Sequence, residues 1–119
     1  MKITHAQLVS ALAKPGAQIA YDMQADEAHL AHMALGVAGE AGEVVDIIKK
    51  HVIYHKDLNY NKLIEELGDL FFYIQGICQA LGVDTSQILS HNIEKLTKRY
   101  GEKYSDSAAI ARVDTEAKE

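Results

Sequence analysis

The stretch DEAHLAHMALGVAGEAGEVVDIIKKH, residues 26–51, decides the fold. Apolar side chains recur in it at Leu30, Met33, Ala34, Val37, Ala41, Val44, Val45 and Ile48. That is the i, i+3, i+4, i+7 spacing of one helical stripe, sustained for about six turns, and not the alternation of a strand. Asp26 opens the pattern and Glu27 adds negative charge where the helix dipole favours it. Lys49, Lys50 and His51 supply cations at the other end. A helix this long with one apolar face needs a partner helix, and the rest of the chain offers several.

Downstream, His55 to Asn59 reads as a loop, with Asn59 or Asn61 as the next cap. A second long helix is expected from about Tyr60 to Leu81, with Leu63, Leu67, Leu70, Ile74, Ile77 and Leu81 on one face, and Gly82 as its stop. Asp84 or Thr85 caps a third, which carries Ile88, Leu89, Ile93 and Leu96 and ends at Tyr100-Gly101. Upstream, Pro15-Gly16 breaks the chain. Before it Thr4 caps a short helix bearing Leu8, Val9 and Leu12, and after it Gln18 to Gln24 forms another short helical piece. The final segment is polar and alanine-rich, with a short helix around Ser107 to Arg112. No convincing strand, internal repeat or linker stands out. The expectation is one all-α domain of four-helix type over residues 1–119. Short helices occupy 1–25, the core helices 26–100 and a tail 101–119.

Composition agrees. The chain has 119 residues, 48% hydrophobic and 24% charged, with one Pro, one Cys and no Trp, which suits one globular domain. No apolar run approaches the roughly 18 residues of a membrane span, and the first residues lack the apolar core of a signal peptide. The single cysteine, Cys78, cannot form an internal disulfide and sits at the edge of the apolar face, a core position. A cytoplasmic protein is the expectation. The balance of 12 basic against 17 acidic residues, net -5, disfavours nucleic-acid polymers, whose binding rests on neutralised phosphates. A small phosphorylated ligand reached through metal ions remains open.

Two segments carry unusual chemistry, Gly39-Glu40-Ala41-Gly42-Glu43 and Glu65-Glu66-Leu67-Gly68-Asp69. At about 100° per residue, Glu40 and Glu43 lie roughly 60° apart on their helix, and Glu66 and Asp69 bear the same relation. Each pair flanks its stripe on the same side, so facing stripes would bring four carboxylates together. Unpaired, they would repel and some would stay protonated; Mg²⁺ or Mn²⁺ would remove the conflict. A single E-x-x-E is commonly a solvated face, but two in matching phase on consecutive helices are less easily dismissed. Gly36, Gly39, Gly42 and Gly68 interrupt the same helices at about 1 kcal/mol each, which suggests close approach of a helix or ligand. A di-iron bundle would need Glu-x-x-His on two helices, and the sequence contains none.

The run from His29 to Glu43, followed by Glu65-Glu66-Leu67-Gly68-Asp69-Leu70, resembles the MazG-like nucleotide pyrophosphohydrolases of the all-α nucleoside triphosphate pyrophosphatase superfamily, marked by E-x-x-E, a spacer and E-x-x-D. Asn92-Ile93-Glu94-Lys95-Leu96-Thr97-Lys98-Arg99-Tyr100 is similar to the family's N-x-x-K-L-x-x-R-Y helix, and the likeness runs from about His29 to Asp114. The short single-domain form is most similar to bacterial and phage versions.

The resemblance implies metal-dependent hydrolysis of a (d)NTP to (d)NMP and pyrophosphate, with Glu40, Glu43, Glu66 and Asp69 binding Mg²⁺, or Mn²⁺ in its place. Tyr73, Asn92, Lys95 and Arg99 would contact substrate, with Lys50 and His29 as weaker candidates. His32, near the same face, could also reach base or phosphate. Many relatives follow the Arg-Tyr pair with proline and an aromatic, whereas Gly101-Glu102-Lys103-Tyr104 stands here. Two other readings stay open: a helical module that binds a nucleotide or partner without turnover, and a phosphoribosyl-ATP pyrophosphohydrolase.

Phe71 and Phe72 point away from the Leu70 and Ile74 stripe, so the second long helix is apolar nearly all round there. The short helices are too small to cover it. A homo-oligomer is expected, a tetramer ahead of a dimer as the resemblance implies, with active sites near the subunit boundary.

Overall fold

The computed structural model describes residues 2–111. Among the described residues six helices follow one another: α1 (His5–Leu12), α2 (Gly16–Asp22), α3 (Ala25–Val52), α4 (Tyr60–Leu81), α5 (Thr85–Tyr100) and α6 (Asp106–Ala111). No strand occurs among the described residues. Among the described residues no helix is long and apolar enough to cross a membrane.

The caps explain most boundaries. Thr4 accepts from the backbone N–H of Gln7 at 3.1 Å while Gln7 accepts from that of Thr4 at 2.9 Å, a reciprocal box that fixes α1. The long helix opens at Ala25, one residue earlier than expected. Glu27 is the reason: its carboxylate accepts from the backbone N–H of Gln24 at 2.8 Å, which makes Gln24 the cap. α3 also runs past the expected Lys49-Lys50-His51 end to Val52. α2 is Gly16–Asp22, shifted upstream of the expected Gln18 to Gln24, because Pro15 stands as its cap and its carbonyl accepts from Gln18 and Ile19. Asn59 accepts from the N–H of Lys62 at 3.2 Å and starts α4, and Gly82 ends it at φ 69°, a left-handed turn that suits glycine. Asp84 caps α5, with Gln87 accepting from its N–H at 2.7 Å. The short last helix is seen as α6; Arg112, expected at its end, lies outside the described residues.

Packing is concentrated in one place. α3 and α4 form an antiparallel hairpin with extensive contact, and α5 rests on α6. Thr85 Oγ1 donates to Gln75 Oε1 at 3.1 Å and ties the start of α5 to α4. No other pair of helices shares an extended contact among the described residues, so four helices do not close a bundle within one chain. Only Met33, Glu66 and Cys78 are buried among the described residues. The radius of gyration is 20.1 Å, against about 13–14 Å for a compact chain of this length. Phe71 and Phe72 are each 67% exposed, as their position off the main stripe implies.

The glycines behave differently from the expectation. A Cβ on Gly39, Gly42 or Gly68 would meet nothing within 4 Å, so within one chain those three permit no close approach. Gly36 does: a side chain there would overlap the ring of Tyr73. Gly76, not singled out from sequence, does the same for Met33.

Candidate functional site

The hairpin seam carries carboxylates where apolar residues would be usual. On α3, Glu40 follows Met33 and Val37 along the face toward α4. On α4, Glu66 occupies the equivalent place beside Leu63, Leu67 and Leu70. Glu66 is buried and Glu40 half-buried. Oxygens of Glu40, Glu66 and Asp69 all lie within 4.8 Å of one another. Asp69, on the exposed flank, opens the cluster to solvent.

Burying like charges together shifts their protons. The Glu40 carboxyl is hydrogen-bonded to Glu66, half-buried, and faces the negative charges of Glu66, Asp69 and Glu43; it therefore holds its proton up to about 7. Glu66 moves the other way, held below its ordinary value by the hydrogen bond from Glu40 and by Lys62, whose Nζ lies 3.0 Å from Oε1 of Glu66. One oxygen, Oε2 of Glu40, is buried without any hydrogen-bond partner. An orphaned buried carboxylate oxygen is costly, and its proximity to two further carboxylates gives the donor set a hard divalent cation favours. The residues present fit such an ion.

Of the four acids expected to converge, three do. Glu43 is exposed on the outer side of α3; its charge acts on Glu40 and on Lys50 and Lys62, but it stands outside the tight cluster. Tyr73 is half-buried one turn beyond Asp69, with its ring edge to His32 at 6.2 Å between centroids and to Phe72 at 5.1 Å. His29 and His32 are exposed on the same helix as Glu40, two to three turns before it. Lys50 pairs with Asp46 at 2.8 Å. Cys78 is buried, as its place on the helix implied. Lys62, bonded to the cluster itself, was missed from sequence; its place four residues before Glu66 is the signal that could have found it.

Asn92, Lys95 and Arg99 lie on α5, whose extended contact is with α6 and not with the hairpin that holds the acids. Arg99 donates to the hydroxyl of Tyr100 at 3.0 Å. Asn92 lines a wide cleft of about 720 Å³ between α5 and α6, together with Leu96, Tyr100 and Tyr104. That cleft is mostly apolar and holds no cluster of acids. The group of acids that could hold a metal ion lies at the α3–α4 seam. The stretch that departs from the family pattern turns at Gly101, φ 73°, and Tyr104 donates to Asp106.

Residues 28–103 match the MazG nucleotide pyrophosphohydrolase domain. The match covers more than half of the chain, which belongs to this family of nucleotide pyrophosphohydrolases. No curated protein and no solved structure matches it.

Proposed function

We propose that the protein is a metal-dependent hydrolase that converts a (d)NTP to (d)NMP and pyrophosphate and so acts on the nucleotide pool. The observation that carries this reading is the approach of Glu40, Glu66 and Asp69 within 4.8 Å, with one Glu40 oxygen buried and unpartnered. Glu40, Glu66 and Asp69 would hold Mg²⁺, with Mn²⁺ able to replace it and Glu43 at the margin. A divalent ion there supplies charge neutralisation at the phosphates and a more acidic water. Glu43, exposed and adjacent, would be the carboxylate that accepts the water's proton. Lys62 keeps Glu66 ionised, and Tyr73 borders the place where a nucleoside would lie.

The experiment is pyrophosphate release from a panel of canonical and modified nucleotides with Mg²⁺ or Mn²⁺. Release from at least one, abolished by EDTA, supports the reading. Binding without turnover would favour a nucleotide-binding module instead, and activity confined to phosphoribosyl-ATP would favour that pyrophosphohydrolase.

The active form is a homo-oligomer in this reading, a tetramer ahead of a dimer. Val45, Ile48, Val52 and Ile53 line an apolar hollow on α3, and Phe71 stands exposed on α4. With a radius of gyration of 20.1 Å, one chain leaves these faces uncovered, and a second copy covers them. A neighbouring copy would also bring an α5, with Asn92, Lys95 and Arg99, toward the carboxylates.

A further inference from the structure

The seam between α3 and α4 has two chemically different ends. At the loop end, a cleft of about 370 Å³ is lined by Ile47, Lys50, Lys56, Asp57, Asn59 and Lys62. Three of those six residues are lysines against a single aspartate. Lys50 and Lys62 are each paired with an acid, Asp46 and Glu66, while Lys56 makes no ion pair among the described residues. The loop that carries Lys56 is held in shape: Nδ1 of His51 donates to the Lys56 carbonyl at 2.7 Å, and the Lys56 N–H donates to the Lys50 carbonyl at 3.2 Å. His55 takes a left-handed φ of 56° to make that turn.

At the opposite end neither α3 nor α4 contributes a lysine or arginine. α3 carries none before Lys49, and α4 none after Lys62. That end offers rings instead. Gly36 has no side chain, so Tyr73 lies against the α3 backbone, and His32 packs its edge on Tyr73 with centroids 6.2 Å apart and planes at 65°. The carboxylates stand between the two ends. Along α4, Lys62 precedes Glu66 by one turn and Tyr73 follows Asp69 by one turn, so Lys62 and Tyr73 are about 16 Å apart along the axis.

A nucleoside triphosphate is itself two-ended, with dense negative charge at one end and a flat π-system at the other. We infer that the nucleotide lies over the α3–α4 seam in one direction only, its terminal phosphates in the Lys50–Lys56–Lys62 cleft and its base against the His32–Tyr73 pair. This rests on the hydrolase reading above and adds the orientation of the substrate. The reverse placement would set two phosphates among rings where neither α3 nor α4 supplies a lysine or arginine, and a base among lysines. With the scissile anhydride at the carboxylates between the ends, pyrophosphate departs toward the loop and the monophosphate toward the rings.

The test is calorimetric binding, with Mg²⁺ present, of inorganic pyrophosphate and of the monophosphate of a nucleotide that the wild-type enzyme hydrolyses. Lys56→Ala and His32→Ala are the variants, both at exposed positions. Lys56→Ala is expected to weaken pyrophosphate about five- to tenfold, as for loss of one charge-assisted contact, and to leave the monophosphate within about twofold. His32→Ala is expected to do the opposite, by about the amount one aromatic contact contributes. A reversed pattern, or equal losses for both ligands in both variants, would overturn the orientation while leaving hydrolysis intact. A wild-type protein that binds neither product and releases no pyrophosphate from any nucleotide would overturn the hydrolase reading, and the orientation with it.

Discussion

The ring of Tyr73 occupies the space in which a side chain at position 36 would stand, so that Gly36 and Tyr73 lock α3 and α4 in contact. Gly36 is one turn before Glu40 and Tyr73 one turn after Asp69. The contact therefore sets the spacing and rotation of both helices at the height of the carboxylates.

Gly36→Ala is expected to force the ring out or the helices apart. Overpacking of this kind costs about 1–3 kcal/mol, more than the roughly 1 kcal/mol that alanine returns in helix propensity. Thermal melting should show a lower Tm and turnover should fall. A variant as stable and active as wild type would show that the ring is free to move.

Replacing Glu40, Glu66 or Asp69 by alanine should lower turnover by at least about two orders of magnitude, as for loss of a positioned electrostatic group. Circular dichroism should show the variants folded, since removing one of several like charges relieves repulsion. Glu43→Ala should lose activity comparably while binding Mg²⁺ more nearly as wild type does, because Glu43 stands outside the tight cluster. Wild-type rates in any two of the four would remove the assignment.

Without metal, stability should fall as pH rises toward neutrality. The folded chain holds a proton on Glu40 between its ordinary 4.5 and about 7, where the unfolded chain has already released it. The folded state binds more protons in that window, so raising the pH favours unfolding. Melting in EDTA should give a Tm that declines through this range and levels off above about pH 7.5. Glu40→Gln should flatten the profile; a wild-type Tm that climbs over the same range would mean Glu40 is ionised in the folded protein.

Light scattering during gel filtration should give a mass of two or four times 13.1 kDa. Lys95→Ala and Arg99→Ala should weaken triphosphate binding more than monophosphate binding. Mixing Arg99→Ala with Glu66→Gln should restore part of the activity if the two residues meet across a subunit boundary. A monomer with full activity would refute the assembly.

What the sequence made legible is what depends on neighbours in sequence. Thr4, Asn59 and Gly82 act within one turn of their own helix, and their roles follow from residue type. The all-α class follows from the stripe beginning at Leu30. Harder to read is anything set by the rotation of one helix on another. Glu40 and Glu43 belong to one motif, yet only Glu40 enters the cluster with Glu66, because about 60° of helix surface separates them. The four glycines of the motif region look equivalent in sequence, and only Gly36 meets another side chain. The relation of α5 to the carboxylates was not legible either, since surfaces that one chain leaves exposed do not fix where a third helix lies.

The α3–α4 hairpin spans only the loop 53–59, and that proximity has a kinetic consequence. Its contacts join segments adjacent in sequence, so their closure entropy is small, and helical pairs of this kind form within microseconds to milliseconds. Refolding should therefore begin with a phase independent of protein concentration, in which Met33 and Cys78 become protected from solvent exchange and labelling. In the proposed oligomer a second chain would cover Val45, Ile48 and Phe71, all exposed in one chain, and that later phase should slow in proportion as the protein is diluted. A stopped-flow dilution series would separate the two, and the carboxylate cluster would be assembled before the first encounter between chains.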